Sequence, residues 1–273
     1  MKKILLVFDG VHFSEGAFEF ARQLNERQRI LVTGVFLPQA TYANLWSYSA
    51  ATSGPLSIPL VEETTAIDIK KNIARFESLC RQSNMDFSTH KDYFNLALPE
   101  LKNETSFADL VILGSETFYR GPVEEDSDAY LKEALHEAKC PILVVPEKFD
   151  FPATNILAYD GSDSSVFAIK QFAYLFSSFL YNETFLVTVK EDAQPVPNKQ
   201  YIDELASGHF PRFTLLQLDA RQKKHFTTWI NGKKRPILVT GAFGRSFVSQ
   251  LFKKSFISDI IQEHKLPVFI AHR

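Results

Sequence analysis

The chain has 273 residues, 45% hydrophobic and 23% charged, which is long enough for two ordinary domains and too apolar for disorder. Its 30 basic and 32 acidic residues leave a net charge of -2 with no basic patch or single-sign tail, which argues against nucleic acid as a partner. No stretch approaches the roughly 20 apolar residues of a membrane span, so no membrane partner is expected.

Cys80 and Cys140 are the only cysteines and lack metal-ligand spacing, as fits a reducing cytosol. The opening Met1–Val7 has the charge and apolar start of an export leader. Asp9 interrupts it before a long enough apolar region exists, so the expected location is cytoplasmic. The 25 phenylalanines point to large cores or a buried interface.

In chain order, Ile4–Phe8 is a continuous apolar run ending in Asp9-Gly10, the pattern of a strand buried on both faces. Ser14 is placed to cap a helix that carries Ala17, Phe18, Phe20, Ala21 and Leu24. Ile30–Phe36 reads as a second strand. Tyr42–Pro59, with Leu45, Trp46 and two prolines, reads as a long loop serving as a lid or interface. Helical spacing follows over Thr64–Arg81, then a strand at Phe87–His90 and a short helix at Leu98–Ser106. Leu110–Leu113 is a fourth strand ending at Gly114, Ala129–Ala138 a helix, and Ile142–Val145 a fifth strand. Alternating apolar strands and helices predict a parallel sheet covered on both faces, with ligands bound beyond the strands' carboxyl ends.

The second half repeats the first. Ile156-Leu157-Ala158-Tyr159-Asp160-Gly161 matches Leu5-Leu6-Val7-Phe8-Asp9-Gly10, and Ile237–Gly241 matches Leu110–Gly114. Leu266-Pro267-Val268-Phe269-Ile270 matches Cys140-Pro141-Ile142-Leu143-Val144. The expected domains are 1–148 and 153–273, joined by a proline-flanked linker. Their last strands, Ile142–Val145 and Val268–Ala271, are expected to pair. Each begins after a proline that suits an edge, and an open apolar edge is best covered by its own copy.

The stretch Thr240–Ser255 carries the strongest ligand signal. Gly241 and Gly244 permit left-handed turns and close approach. Ser255 stands where the following helix, from Phe256, needs an N-cap, and a helix N-terminus beside opened N–H groups suits an anion. Arg245 and Ser246 add donors suited to phosphate. A tight turn with a capped helix and no ligand explains the same residues. Asp160 likewise has a local reading, an Asx-turn with Gly161 that caps the next helix. The seven histidines form no metal spacing. No Ser-His-Asp order or nucleophile elbow stands out, so no catalytic residue and no metal site is assigned.

Three features together resemble the universal stress protein family in its tandem form. They are the strand ending in Asp-Gly, the strand ending in a glycine loop, and the final x-Pro strand. The resemblance covers essentially the whole chain. It implies two doubly wound α/β domains, Rossmann-like and akin to the nucleotide α-hydrolases, packed as a pseudo-dimer within the chain, with a homodimer as further self-association. Nucleotide-binding members carry glycine, two residues, glycine, nine residues, then glycine and serine or threonine. Gly241, Gly244 and Ser255 fit that pattern and Arg245-Ser246 is family-like, but Lys254 stands at the third glycine. By the same resemblance Asp160 lies near adenine and ribose, and Val189 offers backbone groups to the base. In the first half Thr117 replaces the second glycine and Glu124, Glu125, Asp126 and Asp128 follow, carboxylates that repel a polyanion. ATP is therefore expected in the second half only. The implied function is stress-response binding and assembly without evident catalytic machinery. The first alternative is an ATP-binding switch with slow hydrolysis at most. The second is an enzyme of the α-hydrolase group.

Overall fold

The computed structural model of the chain describes residues 1–8, 12–36, 63–90, 102–116, 138–190, 195–219, 229–241 and 266–271. The expected Tyr42–Pro59 loop, residues 98–101 of the expected 98–106 helix and residues 129–137 of the expected 129–138 helix fall outside these residues, while 102–105 are helical as expected. Two compact units divide between Lys139 and Cys140.

In the first unit, β1 (Lys2–Phe8) is flanked by two parallel neighbours, β2 (Ile30–Phe36) and β4 (Leu110–Gly114). Its register runs from Lys2 opposite Ile30 to Phe8 opposite Phe36, and from Ile4 opposite Leu110 to Val7 opposite Leu113. β3 (Asp86–His90) lies parallel outside β2, giving the order β3-β2-β1-β4. Helix α1 (Glu15–Arg27) starts as its sequence predicts, with Ser14 Oγ accepting from the Ala17 N–H at 3.2 Å. It buries Ala17, Phe18, Phe20, Ala21 and Leu24, while Arg22 pairs with Glu19 and Glu26 on the outer side. Helix α2 (Glu63–Gln82) brings Ile69, Ile73, Phe76 and Cys80 into the core.

Phenylalanines dominate the carboxyl ends of β1 and β2. Phe8 stacks on Phe13 at 4.7 Å and on Phe36 at 4.9 Å, with Phe76 edge-on at 6.1 Å. Gly34 makes room for that ring, since a Cβ there would sit 2.8 Å from Phe76.

The second unit holds β5 (Ile142–Val145), β6 (Thr154–Ala158), α3 (Asp163–Leu175), a 3-10 turn at Ser177–Phe179, β7 (Glu183–Lys190) and α4 (Lys199–His209). It continues with β8 (Phe213–Asp219), β9 (Pro236–Gly241) and β10 (Val268–Ala271), in the sheet order β5-β10-β9-β6-β7-β8. Every described pairing here is parallel except β5 with β10. That pair is antiparallel, with Phe269 opposite Leu143, the matching positions of the two sequence repeats. The expected pairing of the two last strands is therefore present. It also explains why β5 groups with the second unit.

Phe172, Phe176, Phe179, Phe210 and Phe269 pack under this sheet, with Phe172 and Phe269 centroids 5.5 Å apart. A buried amide ties the amino end of β6 to its neighbours. Asn155 Nδ2 donates to the Phe179 carbonyl at 2.8 Å and to Thr184 Oγ1 at 3.0 Å. The opposite, carboxyl end is left for the chemistry described next.

Candidate functional site

Within the second unit β6 and β9 are neighbours, but the chain leaves them in opposite directions, to β7 and to β10. Such a divergence opens a crevice beyond the strands' carboxyl ends, where open α/β sheets hold ligands. Asp160 follows β6 and Gly241 ends β9, so two of the sequence-selected residues meet at this point.

Both residues act on the first turn of α3. Asp160 Oδ1 accepts from the Ser162 N–H at 2.9 Å, an Asx-turn around Gly161, whose φ of 88° suits a glycine. The cap itself is Ser162. Its hydroxyl accepts from the Ser165 N–H at 3.2 Å, and Ser165 Oγ returns a bond to the Ser162 carbonyl at 2.8 Å. The local reading of Asp160 thus describes the geometry, with the cap shifted two residues onward. Gly241 needs its missing side chain for packing. A Cβ there would lie 2.6 to 2.8 Å from the backbone of Ser164 and Ser165. The end of β9 is pressed against the start of α3, so the positive end of that helix lies beside the carboxyl end of β9. Asp163 already places an exposed carboxylate in the same turn.

Val189 lies in β7 opposite Leu218, beyond Val187, whose carbonyl accepts from the Tyr159 N–H at 2.9 Å. Gly244, Arg245, Ser246, Lys254 and Ser255 fall outside the described residues, as does Asp9.

Two residues not selected from the sequence shape the site. Tyr159 is 1% exposed, and its hydroxyl donates to the Pro197 carbonyl at 2.8 Å. Burial first, and then the Asp160 carboxylate, raises the phenol above its ordinary pKa. Pro197 also packs over Gly161, where a Cβ would come within 2.7 Å of the proline ring. The segment leading into α4 is thereby fastened to the turn that carries Asp160. Thr188, one residue before Val189, is fully buried with its hydroxyl unbonded. A signal for Tyr159 was present, because tyrosine replaces Phe8 of the first repeat. Nothing in the sequence points to Pro197, which lies 38 residues away.

The matching end of the first unit is different. Ser115, buried just after β4, donates to Glu116 Oε2 at 2.7 Å. Among the described residues no group of three His, Cys, Asp or Glu side chains is placed to hold a metal ion. No described helix is long and apolar enough to cross a membrane. Neither Cys80 nor Cys140 is in a disulfide, and burial pushes the Cys80 thiol up to about 12, so it stays protonated and inert.

No family model matches the chain, and no curated protein matches it. Solved structures do. A universal stress protein from Archaeoglobus fulgidus DSM 4304 superposes with a TM-score of 0.67 at 15% identity, spanning 100% of this chain and 96% of the other. The chain has the fold of a universal stress protein. A protein provisionally named a universal stress protein, from Pseudomonas aeruginosa UCBPP-PA14, aligns over 100% of this chain and 93% of its own, at 16% identity and a TM-score of 0.49.

Proposed function

We propose that this chain works as a universal stress protein of the tandem kind, acting in the cytoplasm by binding and self-association rather than by turnover. The observation that carries this reading is the fold likeness over 100% of this chain and 96% of the other. The antiparallel β5–β10 pair supports it, because equivalent strands of the two repeats close on each other as a pseudo-dimer would.

A second reading, an ATP-dependent switch housed in the second half, rests on the point beyond the carboxyl ends of β6 and β9 where the strand order diverges. There Asp160 and Gly241 converge on the N-terminal turn of α3. An adenine nucleotide fits this chemistry in part. The helix end favours phosphate, Asp160 is a ribose-binding carboxylate, and Gly244, Arg245, Ser246 and Ser255 would supply further donors. Lys254 either blocks the loop or serves as a phosphate contact. Native mass analysis of the purified protein for copurified nucleotide tests occupancy. Calorimetric titration with ATP then separates the readings. Loss of binding in Gly244→Asp places the ligand in this loop, and the sign of the change in Lys254→Gly says whether Lys254 blocks or binds. No heat from the parent or either variant rejects the switch and leaves assembly.

A further inference from the structure

Buried threonine hydroxyls in this chain are bonded as a rule. Thr33 bonds with Ser88 at 2.8 Å, and Thr105 and Thr154 donate to the carbonyls of Lys102 at 2.8 Å and Lys234 at 2.9 Å. Thr184 and Thr240 donate to the carbonyls of Asn182 and Gly241, each at 3.1 Å. Among the described residues Thr188, in β7, is the exception: it is 0% exposed and its Oγ1 has no hydrogen-bond partner. Ser178 Oγ is also unbonded, but it belongs to a half-buried residue, close to bulk water. An orphaned hydroxyl in the interior carries a desolvation cost that an isosteric valine avoids. The sheet does not require a hydroxyl here, since the matching position of the first copy holds Phe36.

Polar groups gather beside it. The β6–β7 register ends with Ala158 opposite Val187, and the Tyr159 N–H continues it onto the Val187 carbonyl at 2.9 Å. Tyr159 and Thr188 therefore stand opposite each other on one face of the sheet. The Tyr159 hydroxyl donates to the Pro197 carbonyl at 2.8 Å, and the Asn198 side chain hydrogen-bonds to the same hydroxyl. We infer that one internal water molecule is bound at Thr188, bridging its hydroxyl to the Tyr159–Asn198 pair, so that the segment entering α4 is joined to β7 as well as to β6. Water is the ligand that this chemistry fits. It donates and accepts at once, and an internal water needs two to four polar partners. Neutral hydroxyls and an amide offer no charge balance for an ion, and Tyr159 at 1% exposed beside Thr188 at 0% leaves no open path for a larger molecule. The inference is independent of whether the second half binds a nucleotide.

A high-resolution crystal structure of the full chain, joined to urea unfolding of Thr188→Val, tests it. The expected density is a water about 2.7–2.8 Å from Thr188 Oγ1 that also reaches the Tyr159 hydroxyl or the Asn198 amide. Thr188→Val keeps the shape and removes the hydroxyl, so the two states of the site predict opposite signs. With a bridging water the urea midpoint falls and the amides at the start of α4 exchange faster. With an orphaned hydroxyl the midpoint rises, because the buried cost is gone. A double-mutant cycle of Thr188→Val with Tyr159→Phe adds a readout that packing alone does not move. Groups that share one water should couple by roughly fivefold in the unfolding constant, whereas unconnected groups are additive. Density and coupling are both required. No density at Thr188, a raised midpoint or additive effects overturns the site. Density that bonds Thr188 and reaches neither Tyr159 nor Asn198, or that belongs to a larger molecule, overturns the bridge.

Discussion

The carboxyl ends of β1–β2 and β6–β7 are the same place in two copies of one sequence pattern, and they are filled with opposite chemistry. The first copy sets Phe8 against Phe36 and closes the space with Phe13 and Phe76. The second sets Tyr159 where Phe8 stands, and the register carries Thr188 to the position of Phe36. One end is a packed aromatic cluster. The other keeps hydroxyls, fastened through Pro197. The scaffold needs neither choice, because both sheets form. The difference is therefore informative about use. The copy that spends this volume on apolar packing has the acid-rich loop, and the copy that keeps polar groups has the glycine loop with basic neighbours.

The largest expected effect breaks the first copy. Phe8→Ala removes a fully buried ring that touches three others, and should cost about 3–5 kcal/mol of stability. Urea unfolding followed by hydrogen exchange should place the loss in β1, β2, α1 and α2. A uniform loss over β6–β9 as well would mean that the copies do not pack independently. Phe36→Thr, which imports the residue of the second copy, should also destabilise, because a hydroxyl and a void replace a stacked ring.

A smaller effect is expected at the end of β9. Gly241→Ala forces a Cβ against backbone that has no flexible end to yield, and should cost roughly 1–3 kcal/mol. Gly208, in α4, has nothing within 4 Å of its added Cβ, so Gly208→Ala should be neutral or stabilise slightly, by up to about 0.5–1 kcal/mol. Thermal melts of the two variants give opposite shifts. Equal behaviour would show that the α3 contact does not constrain Gly241.

Much of the fold was legible because its signals are local. Ser14 announced the start of α1, the apolar runs announced β1, β2, β4 and β5, and the two x-Pro strands announced that they pair, though not in which direction. α4 and β8 have signals of the same kind, in Ile202 and Ala206 on one helix face and in the apolar run Phe213–Leu218. The site was less legible. Gly241 reads as a ligand glycine along the chain, and only the approach of Ser164 and Ser165 reveals its packing duty. Asp160 could be assigned its Asx-turn because the bonded N–H is two residues away. The Tyr159–Pro197 bond could not be found, since its partners meet only after β7 and the turn beyond it have formed.

That bond carries the smallest and most specific prediction. Tyr159→Phe keeps the ring and removes the donor to the Pro197 carbonyl, and should cost about 0.5–1.5 kcal/mol near neutral pH. The pH dependence separates this loss from simple repacking. The phenol's pKa in the folded protein lies above its ordinary 10.0, so the folded state holds the proton more tightly than the unfolded chain does. The contribution of Tyr159 is then fully present below pH 10 and is lost as pH rises from there through the folded pKa. Stability of the parent should fall along this alkaline arm, and Tyr159→Phe should lack that share of the fall, so the two curves converge as pH rises. Phe8 has no proton to lose. Phe8→Tyr in the first copy, where the ring is packed among Phe13, Phe36 and Phe76, should destabilise at neutral pH instead of importing the bond. Parallel pH curves for parent and Tyr159→Phe would show that the hydroxyl does not hold the turn of Asp160. The polar character of the second copy would then reside in Thr188 and the glycine loop alone.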